Sequence, residues 1–129
     1  MTELTEADRQ QVIAVVRRAD ALATARDVDG YLALTTPDMV LDGAQGDATG
    51  HEAVRAAIES IWAAEPAQTE HHTSDVTVSA GADGMAIAHS TLSLAAGTPQ
   101  RIWGVAAITQ RLEKRGGRWL IARRTVAKP

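Results

Sequence analysis

The segment TEHHTSD at 69–75 sets His71 beside His72, two of only four histidines in the chain, inside a stretch that reads as β-strand. Neutral imidazole both donates and accepts a proton, so a histidine on a cavity wall suits acid/base chemistry. Successive side chains of a strand face opposite sides of the sheet, so these two cannot grip one ligand together. Plain alternation groups His71 with Thr73 and Asp75, and His72 with Ser74, Val76 and Val78. By apolar count the second group is the buried one, which favours His72. Asp42 offers a second kind of chemistry at the end of MVLDG. Partial desolvation at a pocket mouth raises the basicity of such a carboxylate, although Asp before Gly is equally an ordinary turn residue. His51, in TGHEA, reads as a first-turn residue of a helix. A metal site built from His71, His89 and Asp42 would suit zinc or iron, but no HxH or HxxxH pair is present. Neither a metal nor a cofactor is expected.

Positioning these groups requires a fold, and 129 residues is the size of one domain that buries its core without staples. The chain has no cysteine, which removes disulfides, thiolate metal sites and a cysteine nucleophile. The start MTELTEADRQ has neither the basic nor the apolar run of a signal peptide, and no stretch approaches the ~18–20 apolar residues of a membrane span. A cytoplasmic protein without membrane contact is the expectation. Charge is uneven: 8 of the 13 basic residues lie in 101–129, where Glu113 is the only acid. Pairing of the two halves in one sheet would neutralise both. Nucleic acid is not an expected partner, because the net charge of -3 repels phosphate and three tryptophans, one tyrosine and no phenylalanine make a poor stacking platform.

Val12, Val15, Val16, Ala19, Leu22 and Ala23 recur at helical spacing and predict an amphipathic helix from about Glu6 to Arg26. A short helical piece through Leu34 follows, with Asp27 or Asp29 as its cap and Pro37 as a stop. MVLD at 39–42 is a short strand, and GAQGDATG a loop of turn residues. HEAVRAAIESIWAA is helical, with Val54, Ala57, Ile58, Ile61 and Trp62 on one face and Pro66 beyond its end. The period then changes to two, in segments near 68–80, 85–96, 100–114 and 118–127 separated by AGADG, AGTP and KRGG. The fold class is therefore α+β: one domain, 1–129, in which an antiparallel sheet of four long strands curves around the helices and encloses a pocket.

With DVDGYLALTTPDMVLDG, GHEAVRAAI, TEHHTSDVTV, GMAIAHSTL and GGRWLIARRTV in this order, nearly the whole chain resembles the SnoaL-like group of the nuclear transport factor 2-like superfamily. The resemblance implies a cone-shaped α+β barrel with an interior cavity, paired as a homodimer through its sheet. Enzymes of the superfamily include isomerases, dehydratases and polyketide cyclases, and other members have no catalytic role. Asp42 is similar in place to the general base of ketosteroid isomerases, although the tyrosine of that family falls at Ala19 and leaves Tyr31 as the nearest substitute. TEHHT and AIAHS are similar to the histidine-bearing strands of scytalone dehydratases, which implies His71 and His89 holding one water or substrate oxygen. The acid of that family falls near Thr24, one turn after Asp20. SnoaL itself uses an acid on a late strand, and none follows Glu113.

The expectation is a small-molecule enzyme doing cofactor-free isomerase, dehydratase or cyclase chemistry on an apolar, oxygenated substrate. Asp42, His71 and His89 would move protons. Trp62 and Trp103 would wall the pocket, with Asp20 and Tyr31 at its polar side, and Arg123 would bind a carboxylate or enolate oxygen. Its rival is a ligand-binding or dimeric interaction module of the same fold.

Overall fold

A computed structural model describes residues 4–43 and 46–129. The first helix, α1 (Glu6–Ala25), begins at a capping box: Thr5 Oγ1 accepts from the Asp8 N–H at 3.0 Å, and Asp8 Oδ2 accepts from the Thr5 N–H at 3.1 Å. Trp119 Nε1 and Lys114 Nζ also donate to Asp8 Oδ1, at 3.2 and 3.3 Å. The Thr5 backbone and side-chain hydrogen bonds, reinforced by these two, hold the Asp8 carboxyl down at about 2. The helix thus starts as a clasp to the far end of the sheet. It stops at Arg26, whose φ of 60° is left-handed, a geometry that glycine usually supplies.

A short α2 (Val28–Leu32) is capped by Asp27, which accepts from the Gly30 N–H at 2.9 Å. The first strand, β1 (Thr35–Gly43), is longer than MVLD and runs through Pro37. Proline is tolerated there because the pairing of β1 with the last strand breaks between Thr35 and Val40, so no ladder donor is lost. GAQGDATG is not wholly a loop: β2 (Gly46–Thr49) folds back on β1, while residues 44 and 45 lie outside the described region. Gly50, at φ 86°, turns the chain into α3 (His51–Ala64).

Four long strands follow: β3 (Glu70–Ala80), β4 (Ala86–Ala96), β5 (Arg101–Arg115) and β6 (Arg118–Ala127). With the first two they form one sheet in the order β2-β1-β6-β5-β4-β3, antiparallel throughout except for β1 beside β6. Val12 and Val16 on α1 and Val54 on α3 pack with Met39, Leu112 and Ile121 from the sheet as a buried core. Each such side chain contributes about 1.5–3 kcal/mol when removed from water. The charge imbalance resolves across this sheet, since Lys114 meets Asp8, Arg115 meets Asp38, Arg123 meets Asp42 and Arg124 meets Asp20. No helix of the described residues is long and apolar enough to cross a membrane.

Two irregularities set the facing of His71 and Arg124. Asp75 takes a φ of 55°, and the pairing of β3 with β4 shifts between Ser74 and Thr77. This bulge adds one residue, so His71 and Thr73 share the inner face with Val76 and Val78. The pairing of β5 with β6 shifts likewise between Arg111 and Leu112, and consecutive Ile121 and Ala122 are both buried. Beyond that point Arg124, not Arg123, turns inward.

Candidate functional site

Between α3, the ends of α1 and α2, and the inner face of the sheet lies a cavity of about 430 Å³. Leu41, Ile58, Ile61, Leu92, Leu94 and Val126 give it an apolar wall. Such a volume lies in the range of small-molecule sites. Tyr31, Trp62 and Trp103 add aromatic surface, with the Tyr31 and Trp62 rings edge to face at 6.1 Å. Trp103 Nε1 donates to Thr69 Oγ1 at 3.3 Å, which fixes its ring at the rim.

Besides Asp47 on β2 and Ser60 on α3, polar groups enter this wall at two places. At the first, His71 Nε2 lies 3.0 Å from Glu65 Oε1, and both side chains are about one-twentieth exposed, 6% and 5%. Glu65 follows the last residue of α3 and precedes Pro66, which forces it into extended backbone (φ -74°, ψ 151°) and ends the helix there. The turn carries its carboxylate to the strand that bears His71. The His71 backbone N–H donates to Thr24 Oγ1 at 2.8 Å, pinning that strand to α1. Arg26 closes the group: its Nη1 is 2.9 Å from Glu65 Oε1 and its guanidinium lies 5.9 Å from the Trp62 ring centre.

At the second place Arg124 reaches the cavity from β6. Behind it, Asp20 Oδ1 lies 3.5 Å from Arg124 Nη2, Gln110 Oε1 accepts from Arg124 Nη1 at 3.4 Å, and Thr73 Oγ1 donates to Asp20 Oδ2 at 2.6 Å. Burial works against the Arg124 charge, but the Tyr31 oxygen and the Asp20 carboxylate outweigh it and hold the guanidinium more firmly protonated than usual. Burial also pushes the Tyr31 phenol above its ordinary range, only partly opposed by Arg124. Tyr31 therefore keeps its proton and can donate at any physiological pH.

Of the residues singled out from the sequence, His71, Tyr31, Trp62 and Trp103 line this cavity. Asp20 stands behind Arg124, 2% exposed. Asp42, His89 and Arg123 are elsewhere. Asp42 pairs with Arg123 and accepts from Thr125 Oγ1 at 3.4 Å on the outer face of the sheet. His89 stands exposed on that face beside Thr109, 3.2 Å away. His89 pairs in register with Thr77, whereas His71 pairs with Leu94, so the two histidines do not flank one water. His72 faces out as well, beside Glu70 at 3.5 Å. His51 accepts or donates at 2.8 Å to Thr35 Oγ1 in a shallow cleft near Asp29 and Arg55. Among the described residues no cluster of His, Cys, Asp and Glu has metal-binding geometry.

Glu65, Arg26, Arg124, Thr73 and Gln110 were not anticipated. The signals were faint: a Glu before Pro at a helix end, an Arg where a helix should end in Gly, and two adjacent arginines on a strand whose alternation slips by one.

Residues 15–120 match the family described as SnoaL-like domain. No curated protein sequence matches the chain. Similar solved structures include a protein of unknown function with a cystatin-like fold from Nostoc punctiforme, at 24% identity and TM-score 0.90 over 98% of this chain and 94% of that one. An NTF2-like protein of unknown function from Pseudomonas putida has 21% identity and TM-score 0.85, over 98% and 89%. ActVI-ORFA from Streptomyces coelicolor has 19% identity and TM-score 0.81, over 92% and 94%. At these identities the likeness is one of fold.

Proposed function

The chain belongs to the SnoaL-like domain family, and we propose that it is a cofactor-free acid/base enzyme acting on an apolar, oxygenated small molecule held in the cavity. One observation carries this reading: a buried His–Glu pair and a buried, charged Arg beside a neutral Tyr enter the same apolar enclosure. His71 takes a proton from a carbon next to the substrate carbonyl. The electrons of that C–H bond move onto the carbonyl oxygen, where Arg124 and the Tyr31 hydroxyl oppose the developing negative charge. Return of the proton to a different carbon completes an isomerisation, and loss of a β-hydroxyl as water completes a dehydration. Trp62, Trp103 and the aliphatic wall exclude water and hold the carbon skeleton.

Deuterium exchange at enolisable positions, followed by NMR with a panel of cyclic and bicyclic ketones that fit about 430 Å³, tests the proposal. Exchange above the buffer rate is expected, together with its loss in His71→Gln. Ketone binding with no exchange in the wild-type protein would instead support a ligand-binding module. We also propose that a second copy covers the outer sheet face, supported by the 63% and 44% exposure of Ile102 and Val105. Sedimentation of the wild type against Val105→Glu tests that pairing.

A further inference from the structure

Arg26 and Glu65 both address one atom, Nε2 of His71. Glu65 Oε1 lies 3.0 Å from it and Arg26 Nη1 lies 3.3 Å from it, while Arg26 and Glu65 are themselves 2.9 Å apart. Arg26 Nη1 is anchored by a second hydrogen bond, to the Ala23 carbonyl oxygen at 2.8 Å. Guanidinium only donates and carboxylate only accepts, so the two make opposite demands. Glu65 calls for a hydrogen on Nε2, whereas the Arg26 Nη1 hydrogen not held by Ala23, now shared with Glu65, can meet a lone pair there. A neutral imidazole satisfies one demand at a time, and the choice fixes the state of Nδ1, which has no hydrogen-bond partner among the described residues.

We infer that Arg26 and Glu65 are positioning residues that compete for Nε2 and thereby select whether His71 presents a base or an acid to the cavity. This rests on the proposed role of His71. In the resting protein Glu65 prevails, because its contact is the shorter and its bond is to a full negative charge. Nε2 then carries the hydrogen, and Nδ1, the unpartnered nitrogen of this cavity-lining ring, is left as a lone pair for a ligand. Once Nδ1 has accepted a proton from substrate, the ring holds both hydrogens and Glu65 lies beside the imidazolium. Return of the Nδ1 proton to the product restores the resting form. Arg26 supplies the opposite option, the Nδ1–H form, whenever Glu65 is withdrawn. Two features suit Arg26 to this role: its left-handed backbone at the end of α1 and its guanidinium over Trp62, which together aim Nη1 at the His71 ring. The charged groups around the ring are Arg26 from the end of α1 and Glu65 from the end of α3, while Asp20, earlier on α1, is taken up by Thr73 and Arg124.

The test is the tautomer of His71 read from ring nitrogen shifts and their coupling to ring protons in ¹⁵N-labelled, ligand-free protein, well above the imidazole titration range. The wild type is expected in the Nε2–H form. Glu65→Ala is expected to convert it predominantly to Nδ1–H, and adding Arg26→Gly to that variant is expected to abolish the preference. Glycine suits the left-handed position, so that second variant tests the guanidinium rather than the backbone. Glu65→Ala with Arg26→Lys keeps a donor near Nε2 and is expected to keep part of the conversion. A resting Nδ1–H form, or a tautomer unmoved by Glu65→Ala in folded protein, would overturn the inference. None of these readings needs turnover, so a protein that shows them without ketone exchange would refute the enzyme proposal and leave the tautomer selection standing.

Discussion

On each side of the sheet a histidine, an aspartate and an arginine can be compared directly. The inner face has His71 and Arg124, met by Asp20 from α1, and the outer face has His89, Asp42 and Arg123. Only their surroundings differ. On the inner face the Arg–Asp pair is 9% and 3% exposed in its side chains, under helices and against a cavity; on the outer face the pair is 43% and 20% exposed. A charge in the first setting is weakly screened and held by fixed neighbours, while one in the second competes with water and salt. Residue type therefore says what chemistry is available, and burial decides where it is usable.

Paired substitutions test this contrast. The largest expected difference is between the histidines: His71→Gln should lower turnover by about 10²–10⁴-fold, the usual contribution of a positioned acid/base group, while His89→Gln leaves it unchanged. Ketone exchange rates measured side by side decide it, and equal losses would erase the distinction between faces. Next comes stability. Arg124→Met strands a buried Asp20 and should cost about 3–5 kcal/mol, whereas Arg123→Met should cost about 0–1 kcal/mol. Urea unfolding of both variants measures the gap.

A smaller effect addresses the bulge that assigns the faces. Asp75→Val places a β-branched residue at a φ of 55° and should destabilise by about 1–3 kcal/mol, while Asp75→Gly should be neutral or stabilising. If valine were tolerated with unchanged His71 and His72 resonances, the bulge would not be what turns His71 inward. The smallest effect concerns the Asp8 clasp at the solvent edge. Its carboxyl is lowered to about 2, so its contribution is complete above the ordinary aspartate range and disappears as pH falls from about 4 through 2. The melting-temperature difference between wild type and Asp8→Asn should be present at pH 6 and vanish toward pH 2.

Much of the architecture was legible because it repeats. The 3,4 spacing of Val12, Val16, Ala19 and Ala23 marks α1, and turn chemistry at AGADG, AGTP and KRGG separates the long strands. β2 was hidden, since GDAT is short and polar and owes its strand form to pairing with β1. The helix ends before Pro37 as expected, but the start of β1 at Thr35 was missed, because the strand runs through a proline where the ladder is already interrupted. In the site, the aromatics and His71 were visible as types and positions. Simple alternation nonetheless pointed to His72 and Arg123, because it assumes an unbroken period of two and each strand departs from it by one residue. Glu65 and Arg26 lie at helix ends, where side-chain direction depends on local φ and ψ rather than on any periodic pattern.

The extra residue at Asp75 works as a parity bit for the strand. Counting outward from the turn at its far end, it separates Val76 and Val78, which are read on even strides, from Thr73 and His71, which are read on odd ones. Deleting that residue would restore an unbroken alternation with His71 still inward, whereas keeping it while flattening the bulge would exchange His71 for His72 at the cavity wall. Among chains of this shape, sequences aligned without that one position would compare imidazoles that never meet the same solvent.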